Sequence, residues 1–150
     1  MMRVLDRVIE GRVYSAIERS WPDQDAAAYL RGLSPREAVH VAVDGSGEVV
    51  GYQSLDLYSA ILPSMSHVGQ IGTFITPEVR GCGVGRALFA ATEAFAREHG
   101  YAKFVIQVRA MNSGAQAFYA RMGFRECGRL SRQVLVHGVV DDEVLMEYFL

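Results

Sequence analysis

The chain has 150 residues, half of them hydrophobic and 21% charged, with a formal net charge of -2. That length suits one domain spanning residues 1–150 with a packed core. Charges of both signs are interspersed without a long run of either, which argues against a nucleic-acid-binding surface, and no apolar stretch reaches the roughly 18 residues that cross a membrane.

The N-terminus, Met1-Met2-Arg3-Val4-Leu5-Asp6, does not read as a secretory signal, because an acidic residue follows at once. Cys82 and Cys127 are spaced unlike any zinc motif and read as free thiols in a reducing compartment. The expected setting is cytoplasmic, and no metal is expected.

Taken in chain order, Leu5, Ile9, Val13 and Ile17 recur every four residues and predict an amphipathic helix to about Arg19. Trp21-Pro22-Asp23 breaks it, and Ala26, Tyr29, Leu30 and Leu33 share one face of a second helix. The period then changes. Val39, Val41 and Val43 lead into Asp44-Gly45-Ser46-Gly47, and Val49 to Leu57 resumes as a strand, so the pair reads as a β-hairpin. A loop around Pro63 precedes a strand from Val68 to Thr76. Val84 to His99 is helical, with Gly100 where a C-terminal cap belongs.

Lys103–Ala110 follows as a strand. Ala115, Phe118, Tyr119 and Met122 then form a helix capped by Asn112 or Ser113, and two strands close the chain, Arg125–Val136 and Glu143–Leu150, with a turn beginning at His137-Gly138. The central strand–helix–strand unit is a βαβ crossover, so its strands should be parallel neighbours in an otherwise antiparallel sheet. The fold class is therefore α/β with a mixed sheet.

Arg80-Gly81-Cys82-Gly83-Val84-Gly85-Arg86 lies between a strand and a helix. The first turn of a helix carries unpartnered N–H groups and the positive end of the helix dipole, and glycines let a ligand approach the backbone. The loop is an anion site suited to phosphate, flanked by two arginines. A Walker loop would need Gly-Lys-Ser/Thr where Gly85-Arg86-Ala87 stands, and neither Gly81 nor Gly83 starts a Gly-x-Gly-x-x-Gly fingerprint.

Arg80-x-x-Gly83-x-Gly85 resembles the coenzyme A pyrophosphate loop of the GNAT superfamily of N-acetyltransferases. Val108-Arg109-Ala110-Met111-Asn112-x-x-Ala115-x-x-Phe118-Tyr119-x-x-x-Gly123-Phe124 is similar to the family's segment near the thioester. Ile71-Gly72-Thr73-Phe74-Ile75-Thr76-Pro77 is similar to its cofactor-binding strand. The resemblance spans roughly residues 39–150 and is sharpest over 71–124.

It implies a centrally splayed sheet flanked by helices, with acetyl-CoA as cosubstrate in the V-shaped gap between the two parallel strands. Thr73, Phe74 and Ile75 would offer backbone groups to the pantetheine arm. Arg80 and the amides of Gly81, Cys82, Gly83, Val84, Gly85 and Arg86 would wrap the pyrophosphate, and Asn112 would contact the pantetheine or hold the splayed strand. Tyr119 would protonate the departing thiolate, a role suited to a phenol. The implied reaction is direct attack by a neutral amine, on a small molecule or a peptide. The alternative is a non-catalytic acyl-CoA sensor of the same fold.

The sequence departs from the family in its proton acceptor. Gln107 stands where ribosomal-protein alanine acetyltransferases carry Glu, and Gln70, Ile71 and Gly72 stand where other members place one. His67 is the substitute base in residue type, with a water relay as the other route. Asp141, Asp142 and Glu143 form an acidic cluster that is either a solvated turn or an attractor of a cationic amine, and Glu147 would serve similarly if it faced inward. Arg132, with Arg129 and Gln133, would orient an acidic group on the substrate if turned to the cleft. The family's first β-strand has little room before Leu5. A sheet edge is thereby open, which a second copy of the chain in a homodimer would cover.

Overall fold

The computed structural model describes residues 1–150. Six strands form one sheet in the order β1-β2-β3-β4-β6-β5. In chain order the elements are α1 (Met2–Ile9), α2 (Asp23–Gly32), β1 (Ala38–Val43), β2 (Val49–Leu57), β3 (Val68–Ile75), α3 (Val84–Glu98), β4 (Lys103–Arg109), α4 (Ser113–Arg121), β5 (Arg125–Val136) and β6 (Val139–Phe149). No helix is long and apolar enough to cross a membrane. No strand precedes α1.

β3 and β4, joined through α3, are parallel, and every other pairing is antiparallel. The parallel pairing is short: Val68, Gly69 and Gln70 meet Lys103, Phe104 and Val105, and nothing beyond pairs. The strands continue to Ile75 and Arg109 apart from one another, so the sheet splays into a V whose apex is Gln70/Val105. Gln70 Nε2 donates to Gln107 Oε1 across it at 3.4 Å.

α3 packs on β1, β2 and β3. It buries Leu88, Phe89, Thr92 and Ala96, a stripe at helical spacing. Phe89, Phe104, Phe124 and Tyr148 interlock edge-to-face and stacked, and with Tyr119, Val144 and Met146 they make the core on this face. α1 lies on the opposite face, its Val4, Leu5 and Val8 buried against β2 and β3.

Two expected boundaries move. The first helix stops at Ile9 rather than near Arg19. Gly11 weakens helix continuation by about 1 kcal/mol, and Arg12 takes a left-handed φ of 55°. The carbonyls thereby released are taken by tertiary partners: Arg109 Nη1 donates to Arg12 O and Ser15 O at 2.6 and 3.2 Å, and Asn112 Nδ2 to Tyr14 O at 3.2 Å. The last strand begins at Val139 rather than Glu143. His137 and Gly138 both have positive φ, 48° and 79°, the pair a two-residue hairpin turn requires, so pairing resumes at once with Val136↔Val139. The acidic cluster thus lies inside a strand, not in a solvated turn, and Asp141 is buried.

Candidate active site

A cleft of about 430 Å³ runs along the splayed edge of β3, between the 80–86 loop and α4. Strand alternation decides which residues of β3 face it. Thr73 and Ile75 line the cleft, whereas Phe74 points to the other face and stacks on Tyr52 with centroids 4.8 Å apart. The backbone alternates too. Tyr58 N donates to Val68 O and Thr76 N to Val50 O, so the even-numbered residues of β3 turn their polar groups toward β2 and the odd-numbered ones toward the gap. The expectation for Phe74 is corrected by this alternation: its backbone groups belong to the β2 ladder, and Thr73 and Ile75 face the V. Ile75 O is in turn held by Arg80 Nε at 3.2 Å.

The loop forms because Gly81 and Gly83 adopt φ of 79° and 87°, which a side chain would strain. Open space lies where their Cβ atoms would stand. The amides of Gly81, Gly83, Val84, Gly85 and Arg86 find no partner within the protein, while that of Cys82 donates to Val79 O at 3.3 Å. Cys82 therefore does not belong with the free donors, and its thiol is exposed. Converging amides, a helix N-terminus and two arginines fit a diphosphate. The Arg80 guanidinium also stacks 3.8 Å from the Tyr14 ring centroid, which makes Tyr14 a wall of the cleft.

Gly85 serves a different purpose. A Cβ there would stand 2.9 Å from Phe118 Cε2 and 3.1 Å from Ile75 Cδ1, so only glycine lets α3 approach β3 and α4 this closely. Gly85→Val is expected to destabilise the fold by about 1–3 kcal/mol through overpacking, read as a lower midpoint in a urea titration at unchanged m-value.

Tyr119 lies in the cleft with 5% exposure, and its Oη donates to Thr73 Oγ1 at 2.8 Å. Burial pushes its phenol up to about 12, while contacts with the Thr73 hydroxyl and amide pull the other way. Thr73 Oγ1 also accepts from Gln53 Nε2 at 2.6 Å. Gln53 is fully buried and its Oε1 has no partner. Asn112 caps α4 by accepting from Ala115 N at 3.0 Å while it holds Tyr14 O.

The remaining sequence candidates stand elsewhere. His67 is exposed at the closed end of the V, six residues before Thr73 on an extended strand and so roughly 20 Å away. That distance removes it as the base. Glu147 is locked between Lys103 Nζ at 2.5 Å and Arg125 Nη2 at 2.8 Å, and these partners, Lys103 first, hold its carboxyl below the usual range. Asp142 accepts from the amide of Arg132 at 2.8 Å and pairs with Arg129 at 3.5 Å. Arg132 sits at a bulge of the edge strand β5 with φ of 53°. None of these four residues lines the cleft.

Several residues of the site carried no assigned role in the sequence: Tyr14, Gln53 and Arg109. Arg109 was legible only as part of the Val108–Asn112 stretch, and Gln53 only as an amide within an apolar strand. No cluster of side chains that would hold a metal is present.

The sequence model of the Acetyltransferase (GNAT) family matches residues 10–124. An aminoglycoside N(6')-acetyltransferase type 1 of Stenotrophomonas maltophilia is 33% identical over 116 residues, covering 73% of this chain and 76% of that one. In fold, the chain resembles the ribosomal-protein-alanine N-acetyltransferase of Brucella melitensis, with a TM-score of 0.90 at 24% identity over 99% of this chain and 91% of that one. It also resembles the phosphinothricin acetyltransferase of Sinorhizobium meliloti in complex with acetyl-CoA, with a TM-score of 0.90 at 19% identity over 99% and 80%. The splayed sheet, the glycine loop on α3 and the match across the motif segments agree: the chain belongs to the acetyltransferase (GNAT) family and transfers an acetyl group from acetyl-CoA to an amine.

Proposed function

We propose that the amine attacks acetyl-CoA directly while both are bound, with Tyr119 as the general acid. The observation that carries this is the Tyr119 hydroxyl at 2.8 Å from Thr73 Oγ1, inside the gap into which the Thr73 backbone also turns. The free amides of Gly81 and of Gly83 to Arg86, with Arg80 and Arg86, hold the pyrophosphate, and Thr73 and Ile75 hold the pantetheine arm. Asn112 keeps the Tyr14 wall in place beside it. When bound, acetyl-CoA supplies the activated acyl carbon.

The amine first gives its ammonium proton to water, since a protonated amine cannot attack. Its lone pair then forms the N–C bond as the C–S bond breaks. N–H groups of β3 turned into the gap stabilise the negative charge that grows on the carbonyl oxygen. Tyr119 donates its proton to the leaving sulfur and regains one from the new amide nitrogen through water, so that one proton moves in net from nitrogen to sulfur. Gln70 and Gln107 flank the apex as neutral amides, so the proton path is assigned to water rather than to a side-chain base.

Both cysteines are exposed and neither lines the cleft, which favours direct attack over an acyl-enzyme. Initial rates with both substrates varied are expected to give intersecting lines, with no acetyl group retained on protein exposed to acetyl-CoA alone. Parallel lines with a retained acetyl group would overturn the direct mechanism.

The same proposal includes a cytoplasmic homodimer paired along β1, the sheet edge where Val41 and Val43 stand exposed.

A further inference from the structure

On the opposite face of β3 from the cleft lies a second pocket of about 300 Å³. Four aromatic rings wall it. Tyr52 stacks on Phe74, and Trp21 meets Tyr29 edge-on with centroids 5.7 Å apart. Its only charged side chain is Asp56. The Tyr29 hydroxyl donates to Asp56 Oδ1 at 2.6 Å, and no cation or backbone amide pairs with that carboxylate.

This is unusual within the molecule. The other carboxylates that are buried or half-buried are met by cations or amides: Asp141 by Arg109, Asp142 by Arg129, Glu147 by Lys103 and Arg125, Glu93 by Arg97, Glu37 by the amides of Ser34 and Leu57. Glu143 alone shares the condition of Asp56, and it lies across the V on β6. A half-buried carboxylate met by a neutral hydroxyl and no cation keeps room for a charged partner, and a cationic ligand supplies it.

The pocket reaches the chemistry. Gln70 and Gly72 form part of its wall, and Gln70 is the last residue of β3 paired to β4. Gly72 keeps the wall thin, because a Cβ there would meet Phe74 Cε2 at 3.1 Å and Ser54 Oγ at 3.2 Å. Thr73, the next residue, lines the cleft on the other face.

We infer that this pocket is the acceptor site, and that it selects a primary amine with a single positive charge on an apolar or aromatic skeleton, without a carboxylate or phosphate. The inference rests on the acetyl-transfer chemistry above. The ammonium docks against Asp56 as the acceptor enters, with the skeleton among the rings, whose faces favour a cation; it leaves Asp56 and gives its proton to water before the nitrogen attacks. No arginine, lysine or histidine lines the pocket, so an acidic group on the acceptor finds only neutral donors such as Ser54 and Gln70 among the side chains and is repelled by Asp56.

Trp21 is the single tryptophan of the chain, so its fluorescence reports occupancy directly. Titration with 2-phenylethylamine is expected to change that fluorescence saturably, and phenylalanine, the same skeleton with a carboxylate, to bind at least about tenfold more weakly. Asp56→Asn keeps an acceptor for Tyr29 and removes the charge; it is expected to weaken phenylethylamine binding about tenfold to a hundredfold, the range of one charge-assisted contact. Asp56→Glu, which keeps the charge, is expected to retain most of the affinity. Equal binding of phenylalanine, equal binding by Asp56→Asn, or no saturable change would each overturn the assignment. Thiol release is followed separately with the same amines. Binding at Trp21 without thiol release from any amine would count against the acetyl-transfer chemistry and leave the class of bound amine standing.

Discussion

Replacing Tyr119 with phenylalanine is expected to lower kcat by about a hundredfold, the lower end of what a positioned general acid contributes, while acetyl-CoA binding changes little. The ring remains, so its packing against Phe118 and Phe124 is kept. What is lost is the hydroxyl and its bond to Thr73, about 1 kcal/mol of stability. The pH dependence adds a second reading. A free tyrosine ionises near pH 10; burial pushes Tyr119 up to about 12. The acid form therefore persists through the whole range in which the amine deprotonates. Activity is expected to rise with pH as the neutral amine accumulates and to show no falling limb from Tyr119 below about pH 11. A falling limb near pH 10 that disappears in Tyr119→Phe would show a less buried phenol than the cleft provides. Thr73→Val separates position from chemistry: it leaves the phenol but removes the acceptor that aims it, so a smaller loss in kcat is expected with the pH profile retained. It also strips Gln53 of its one bonded partner, so the unfolding midpoint is measured alongside.

How much of this was legible depends on the range of the interaction. β2, α3 and β5 appear where periodicity and punctuation put them, because alternation and a capping glycine are local signals. The glycine loop ahead of α3 was legible for the same reason: its glycines, its arginines and the helix it opens all lie within one short stretch. α1 was overread, since Val13 and Ile17 keep the helical spacing while Gly11 and the demands of Arg109 and Asn112 end the helix earlier. His67 failed for a reason that spacing alone does not carry. It sits beside β3 in sequence, but the V opens at the other end of that strand, and only the register of β3 on β4 says which end that is. Glu147 and Asp142 failed through partners on other strands. The aromatic pocket was the least legible feature, because Trp21, Tyr29, Tyr52, Asp56 and Phe74 come from four separate segments and share no motif.

Arg109→Met is expected to cost about 3–5 kcal/mol, the loss typical when one partner of a buried ion pair is removed. That is a large part of the roughly 5–15 kcal/mol that holds a domain folded, and it should lower the melting temperature by about 10 °C. Arg109 is 4% exposed and Asp141 7%. Its Nε meets Asp141 Oδ2 at 3.0 Å, and its Nη1 serves the carbonyls of Arg12 and Ser15. Methionine fills the volume but leaves a buried carboxylate with only the Met111 amide, at 3.3 Å, and strands two carbonyls. Arg109→Lys keeps the charge but loses the planar fork that reaches three acceptors from two nitrogens, so an intermediate loss is expected. The double variant Arg109→Met with Asp141→Leu removes the stranded charge, and should recover part of the stability; a double variant no better than the single one would show that the carbonyls of the 12–15 segment, not Asp141, carry the cost. Function should follow the same tether. Tyr14 lies between those two carbonyls in sequence and forms the wall on which Arg80 stacks. Loosening it is expected to raise the KM for acetyl-CoA several-fold more than it lowers kcat, since Tyr119 and Thr73 are held by other elements.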